Sequence, residues 1–117
     1  MQGSFLRFYV HEGHRHHHGM VWEWLLIQAN KMNIRGGSAF RAMAGFGRHH
    51  KLVESRFFDL KGSQIIEIEF VVTDEEAQRL LDLLHREKIP LFYAYIPARF
   101  GTMDTRTATP PSIEAGE

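Results

Sequence analysis

Cysteine is absent from this chain of 117 residues, which excludes disulfide bonds and cysteine-ligated metal sites. Neither sign of charge is in excess, because 14 lysines and arginines balance 14 aspartates and glutamates. Nucleic-acid-binding domains normally carry a basic excess, so we expect no nucleic acid among the partners. Apolar runs long enough to cross a bilayer are missing, as are the charged and apolar stretches of a signal peptide. These absences predict a cytoplasmic protein without direct membrane insertion.

The length and composition fit one small globular domain. Apolar residues make up 44% of the chain and charged residues 24%, which is typical of a folded protein. From residue 101 onward the composition changes to threonine, proline, glycine and glutamate. We therefore predict a folded domain at residues 1–100 and a flexible tail at residues 101–117.

Hydrophobic periodicity predicts four strands and two helices in the order β-α-β-β-α-β. Thr73 and Glu76 form a capping-box pattern that marks the start of the second helix. The order is that of the ferredoxin-like α+β fold, a four-stranded antiparallel sheet with both helices on one face. The predicted strands are residues 4–10, 38–44, 64–72 and 91–96, and the predicted helices are residues 20–33 and 74–88.

The helix-free face of this sheet is predicted to be apolar, with opposite charges on neighbouring strands. Burial in an oligomer removes the apolar groups from water and lets Arg7 pair with Glu67 or Glu69. The last strand contributes either Tyr93 with Tyr95 or Phe92 with Ala94. The other expected residues are Phe5, Arg7, Tyr9, Ile65, Glu67, Glu69 and Val71.

The stretch Gly37-Ser-Ala-Phe-Arg-Ala-Met-Ala-Gly-Phe-Gly47 is similar to the signature of the PII-like proteins, a family formerly catalogued as a domain of unknown function. The strand Gln64–Thr73 and the acidic helix start after it also fit, and the likeness covers residues 4–96. The resemblance implies a homotrimer with inward-facing sheets that binds an adenine nucleotide (ATP, ADP or AMP) between subunits. It also implies that a mobile T-loop, at residues 45–60, regulates a membrane transporter or an enzyme.

Three loops are expected to meet at one end of the sheet: the histidine-rich loop, the T-loop and the turn around residues 87–90. Glycines let a backbone approach phosphate closely, and arginine forks match phosphate oxygens. A hairpin bend with solvated basic residues is the alternative interpretation of the same pattern. The resemblance adds Lys88 from the second turn and Arg99 from a neighbouring subunit. The candidate nucleotide-binding residues are Arg41, Gly45, Phe46, Gly47, Arg48, Lys88 and Arg99.

Five histidines lie within residues 11–18, and two more follow at His49 and His50. Neutral imidazole binds zinc, nickel or copper, but the spacing matches no closed structural metal motif. The alternatives are a solvated loop or a metal-responsive trimer that resembles the CutA proteins. The candidate metal ligands are His11, His14, His16, His49 and His50.

Motifs for catalysis are not evident in the sequence. Cysteine is absent, and none of the serines stands in the glycine-flanked pattern of a nucleophile elbow. Glu67 and Glu69 share one face of a strand, but the inward-facing sheet would turn them towards Arg7. We therefore expect a binding protein and not an enzyme.

Overall fold

The computed structural model describes residues 1–17, 19–47, 53–54 and 64–113. It contains two helices, one four-stranded sheet and two short two-stranded ladders in these ranges. In chain order the elements are β1 (Gln2–His11), β2 (Arg15–His16), β3 (Gly19–Met20), α1 (Val21–Lys31), β4 (Gly37–Arg41), β5 (Ala44–Gly45), β6 (Val53–Glu54), β7 (Ile65–Val72), α2 (Asp74–Arg86) and β8 (Phe92–Arg99).

The main sheet is antiparallel throughout, with the strand order β4-β7-β1-β8. Strands β1 and β7 form its centre, and Ser4 to His11 pair with Val72 to Ile65 in an unbroken register. Both helices contact the same side of these central strands. The predicted fold class, α+β with a ferredoxin-like arrangement, is confirmed.

The hydrophobic core lies between the helices and one face of the sheet. Alternate residues of β1 and β7 supply the sheet side, since successive side chains of a strand point to opposite faces. Leu6, Phe8 and Ile68 have no solvent exposure. The core residues are Leu6, Phe8, Val10, Val21, Trp24, Leu25, Ala29, Ile34, Ile66, Ile68, Phe70, Val72, Ala77, Leu80, Leu83, Leu84 and Ile89.

The second helix begins as its sequence pattern predicts. The Thr73 hydroxyl accepts a hydrogen bond from the Glu76 amide at 3.2 Å, and the Thr73 amide donates to the Glu76 carboxylate at 2.9 Å. This reciprocal capping box satisfies backbone donors that the first helical turn leaves unpaired.

Both helices end in the same way, with a residue in the left-handed conformation. Asn33 follows α1 with φ 63°, and Lys88 follows α2 with φ 57°. After α2, the amide of Lys88 donates to the carbonyl of His85 and that of Ile89 to the carbonyl of Leu84. These are the two hydrogen bonds of a Schellman motif, and they fix the turn that follows α2.

Several element boundaries differ from the sequence prediction. Strand β8 runs to Arg99, three residues beyond the predicted end, because an edge strand tolerates Pro97. Strand β4 is shorter than expected and ends at Arg41. The histidine-rich segment was predicted as a loop, yet Arg15–His16 pairs with Gly19–Met20 in a small hairpin.

The helix-free face of the sheet is only partly shielded. The register places Phe92 opposite Tyr9 and Ala94 opposite Arg7, so the Phe92–Ala94 alternative is the correct one. Phe92 is 73% exposed and Phe40, on the other edge strand, is 52% exposed. We call this surface the open face. Its residues are Phe5, Arg7, Tyr9, Ser38, Phe40, Ile65, Glu67, Glu69, Val71, Phe92, Ala94 and Ile96.

The segment after β8 is exposed from residue 101 to residue 113. It returns to the sheet at one point, where the Arg99 guanidinium donates to the carbonyl of Ile113 at 2.9 Å. Flexibility of this tail stays a prediction. In the described ranges, neither helix combines the length and apolar character that a membrane crossing requires.

Candidate functional site

The histidine-rich segment, the start of the T-loop and the turn after α2 meet at one end of the sheet. Strand β1 ends there with His11, which lies opposite Ile65 at the start of β7, and β4 ends there with Arg41 opposite Ile66. The turn after α2 is held to the histidine-rich segment by a contact of 3.3 Å between His16 Nε2 and Glu87 Oε1. The predicted meeting of these segments is therefore observed among the described residues.

Arg41 is held by a carboxylate. Its Nε donates to Glu12 Oε1 at 3.0 Å and its second terminal nitrogen to Glu12 Oε2 at 2.6 Å, a two-point ion pair. The hydrogen bond from Arg41 lowers the pKa of the Glu12 carboxyl below its usual range, and burial opposes this shift only in part. The same contact raises the pKa of Arg41. Any anion that binds Arg41 through both nitrogens must take the place of Glu12.

The glycine-containing turn begins in a short ladder. Ala44 pairs with Glu54 and Gly45 with Val53, so a two-stranded base supports the first part of the T-loop. Phe46 is 62% exposed, and a side chain added at Gly47 would meet nothing within 4 Å. The glycine backbone at residue 47 is thus open to an incoming ligand. Arg48 and most of the T-loop lie outside the described residues.

Lys88 projects from the turn after α2 and is exposed. Its φ of 57° belongs to the left-handed region, which costs a residue with a Cβ about 1–2 kcal/mol. Glycine is the usual residue at this position of a Schellman motif. A lysine there is a local departure from the stability optimum, and such departures often accompany functional sites.

Arg99 lies at the opposite end of the sheet, where it pairs with Gln2. Strand β8 runs from Phe92, near the loop end, to Arg99, which corresponds to roughly 23 Å. It lines an open cleft of about 460 Å³ together with Asp74 and Tyr95, whose hydroxyl donates to the Asp74 carboxylate. This hydrogen bond raises the pKa of Tyr95. Within one chain, Arg99 and Lys88 therefore do not lie in the same site.

The four described histidines of the histidine-rich segment divide into two groups. His16 and His17 approach Glu87, and their ligand atoms all lie within 4.8 Å of one another. His11 and His14 take part in a backbone turn, in which the His14 amide donates to the His11 carbonyl at 2.9 Å, and neither joins that cluster. His49 and His50 lie outside the described residues.

His17 and Glu87 are cluster members that the sequence did not identify. Glu87 is 71 residues from His16 along the chain, so only the folded topology brings them together. His17 was not among the candidate ligands predicted for this segment, which were His11, His14 and His16. In the structure β2 ends at His16, and the two rings lie side by side with their centroids 3.9 Å apart. The predicted meeting of the histidine-rich loop with the turn around residues 87–90 was the one signal that could have pointed to Glu87.

Comparison with known proteins gives a family for this chain. A family model described as "DUF190: Uncharacterized ACR, COG1993" matches residues 3–88, from β1 through the turn after α2. A UPF0166 protein from Aquifex aeolicus (strain VF5) is 26% identical over 79 residues, which cover 68% of this chain and 75% of that protein. Because the family model spans well over half of the sequence, the chain belongs to the DUF190 family.

Proposed function

We propose that this protein is a PII-like signalling protein, a homotrimer that binds an adenine nucleotide in clefts between subunits. Through its T-loop, at residues 45–60, it regulates a membrane transporter or an enzyme. The observation that carries the proposal is the open face, which exposes aromatic side chains while Arg7 and Glu69 pair within the chain.

The open face suits burial against copies of itself. Arg7 and Glu69 form an ion pair at 3.1 Å, so neither charge would enter an interface unpaired. Burial, followed by the neighbouring Glu67 carboxylate, raises the pKa of Tyr9. The remaining groups are mainly aromatic and aliphatic, and contiguous exposed patches of this kind mark interaction surfaces. In the proposed trimer the sheets face inward and the loop ends border the seams between subunits.

Phosphate groups would bind where Arg41, the Gly45–Gly47 turn and Lys88 lie at the loop end. Arg41 supplies a two-point fork once phosphate displaces Glu12, and Lys88 supplies a point charge. The exposed backbone at Gly47 permits close approach of an anion. Arg99 would come from the neighbouring subunit, because in its own chain it lies at the far end of the sheet.

The nucleotide would act on the T-loop through the displacement of Glu12. Arg41 is next to the short ladder at Ala44–Gly45, so its change of partner occurs at the base of the loop. A ligand shifts a loop equilibrium only by its difference in affinity for the two loop states. The T-loop conformation favoured by the nucleotide would then present or withdraw the surface that the regulated protein recognises.

Isothermal titration calorimetry of the full-length protein with ATP, ADP and AMP at near-millimolar concentration tests the binding claim. We expect Arg41→Ala and Lys88→Ala each to weaken binding, and Glu12→Gln to strengthen it several-fold because it removes the competing charge. Arg79→Ala, an exposed arginine in α2, serves as the matched control and should bind as the parent does. Neither heat nor a shift in melting temperature with all three nucleotides would refute nucleotide binding.

Two further measurements test the rest of the proposal. Light scattering coupled to size-exclusion chromatography should give three times the mass of the chain, which is 13.6 kDa. A single-chain mass at all practical concentrations would overturn the proposed clefts. We also propose that the protein binds ATP without hydrolysing it. Chromatography should therefore recover ATP unchanged after prolonged incubation, and formation of ADP or AMP would contradict this.

A further inference from the structure

We propose that His16, His17 and Glu87 form a binding site for a divalent transition-metal ion with the ligand preference of zinc. The site links the β2–β3 hairpin to the end of α2. It involves none of the candidate nucleotide ligands and does not depend on the proposed function. Two imidazoles and one carboxylate are a ligand set that zinc binds in proteins, while magnesium and calcium prefer oxygen ligands alone.

The distances fit a small ion with tetrahedral coordination. Zinc bonds of about 2.0–2.1 Å place neighbouring ligand atoms about 3.3 Å apart. His16 Nε2 lies 3.3 Å from Glu87 Oε1, and His17 Nε2 lies 3.8 Å from the same oxygen. The ligand atoms of all three side chains lie within 4.8 Å of one another, so the cluster needs to contract only slightly around an ion. Three protein ligands leave one coordination position for water or another ligand.

The position of Glu87 favours a cation beside it. Glu87 is the C-cap residue of α2, where the partial negative charge of the helix dipole disfavours a carboxylate. A divalent ion neutralises both the carboxylate and the helix end. The Schellman hydrogen bonds of Lys88 and Ile89 hold this turn, so the carboxylate is presented from a fixed backbone.

The histidine side of the site is also supported. The His16 side chain is only 17% exposed, and its ring lies 6.1 Å from the buried Trp24, measured between centroids. Packing against the indole restricts the orientation of the imidazole and lowers the entropy lost on metal binding. The His17 side chain is 67% exposed, which leaves a path for the ion from solvent.

The test uses untagged, full-length protein treated with a chelator and then titrated with Zn²⁺ by calorimetry. We expect saturation at one ion per chain and a rise in melting temperature. Each of His16→Ala, His17→Ala and Glu87→Gln should weaken Zn²⁺ binding by about tenfold or more, since even loss of a group behind a ligand costs that much. Mg²⁺ should produce no binding heat.

Matched controls separate this site from general metal binding by histidines. His14→Gln alters the same segment and His85→Gln alters the last turn of α2, yet both residues lie outside the cluster. We expect both variants to bind Zn²⁺ as the parent does. Unchanged affinity in His16→Ala and Glu87→Gln would overturn the proposal, as would equal losses in the two controls.

A spectroscopic readout is independent of stability. Cu²⁺ bound at His16 should quench the fluorescence of nearby Trp24, which can be observed alone in a Trp22→Phe background. The Glu87→Gln change in that background should shift quenching to higher Cu²⁺ concentration by about tenfold, and quenching that does not shift contradicts a ligand role for Glu87.

Discussion

Arg7 and Glu69 stand directly opposite each other on β1 and β7, and Arg7 Nε donates to Glu69 Oε1 at 3.1 Å. The pair lies near the middle of the open face, with side chains 34% and 23% exposed. Arg7 also lies over the ring of Phe5, 5.3 Å from its centroid. The charge at the centre of the face is therefore satisfied within one chain, and the surrounding aromatic groups are the part that remains exposed to water.

Placing a charge on the open face should break the proposed trimer without unfolding the chain. Phe92 is 73% exposed in the single chain, so Phe92→Asp costs little there, but it buries an unpaired carboxylate in a trimer. We expect light scattering to show a fall from the trimeric to the single-chain mass, with an unchanged circular dichroism spectrum. Met103→Asp, at an equally apolar and 63% exposed position beyond the sheet, is the control. A trimeric mass for Phe92→Asp contradicts an interface at this face.

The ion pair of Glu12 with Arg41 should be visible in a titration. The hydrogen bond from Arg41 lowers the pKa of Glu12, so the pair stabilises the fold above the usual glutamate pKa. That contribution is lost as the pH falls through the lowered value. In Arg41→Ala the pKa of Glu12 should rise towards its usual range, as measured from carboxyl ¹³C shifts.

A second pair in the chain supplies the control for this titration. Arg106 lowers the pKa of Asp104 through side-chain and backbone hydrogen bonds. Arg41→Ala should leave the pKa of Asp104 unchanged. Arg106→Ala should raise the pKa of Asp104 and leave the pKa of Glu12 unchanged. A pKa of Glu12 that does not respond to Arg41→Ala would show that the ion pair does not persist in solution.

Replacing Lys88 by glycine should stabilise the protein. Glycine removes the cost of φ 57°, so we expect the free energy of unfolding to rise by about 1 kcal/mol. Lys88→Ala removes the charge but keeps the backbone cost, and it should give no gain. Urea denaturation followed by circular dichroism measures the difference.

The equivalent turn after α1 is the internal comparison for Lys88. Asn33→Gly should give a smaller gain, because asparagine tolerates φ 63° better than lysine does. A Lys88→Gly variant no more stable than the parent would mean that the lysine side chain makes a compensating contact. If Lys88 also binds phosphate, the stabilised variant should lose nucleotide affinity, as Lys88→Ala does.

Gly3 should tolerate no side chain. A Cβ at this position would lie 1.8 Å from the backbone carbonyl oxygen of Val72, which cannot move without displacing β7. We expect Gly3→Ala to lower the free energy of unfolding by about 3 kcal/mol, at the upper end of the cost of overpacking. Gly36→Ala is the control, since a Cβ there meets nothing within 4 Å. Equal stability of the two variants in thermal denaturation would refute the close approach.

Much of the architecture was predictable because it depends on local pattern. Thr73 and Glu76, three residues apart, predict the capping box, and the alternation of apolar residues through Ile66, Ile68 and Phe70 predicts a central strand. The partner of Arg7 was also narrowed to Glu67 or Glu69, since strand order limits which charges can be neighbours. Pairing register then selects Glu69 over Glu67.

The candidate site was less accessible from the sequence. The capture of Arg41 by Glu12 joins residues 29 positions apart, and it was not predicted because neither residue carries a local signal for the other. The same holds for the approach of His16 to Glu87. Such contacts depend on where two loops end, which no local sequence pattern specifies.

The amino-acid sequence by itself determined the order of the elements, the start of α2 and the apolar character of the open face, because hydrophobic period and capping act over a few residues. Tertiary structure alone decided the side of β8 that joins the open face, the carboxylate that holds Arg41, and the meeting of two histidines with a helix end. These features depend on strand register and on where the loops close, and both are set by contacts between residues far apart in the chain.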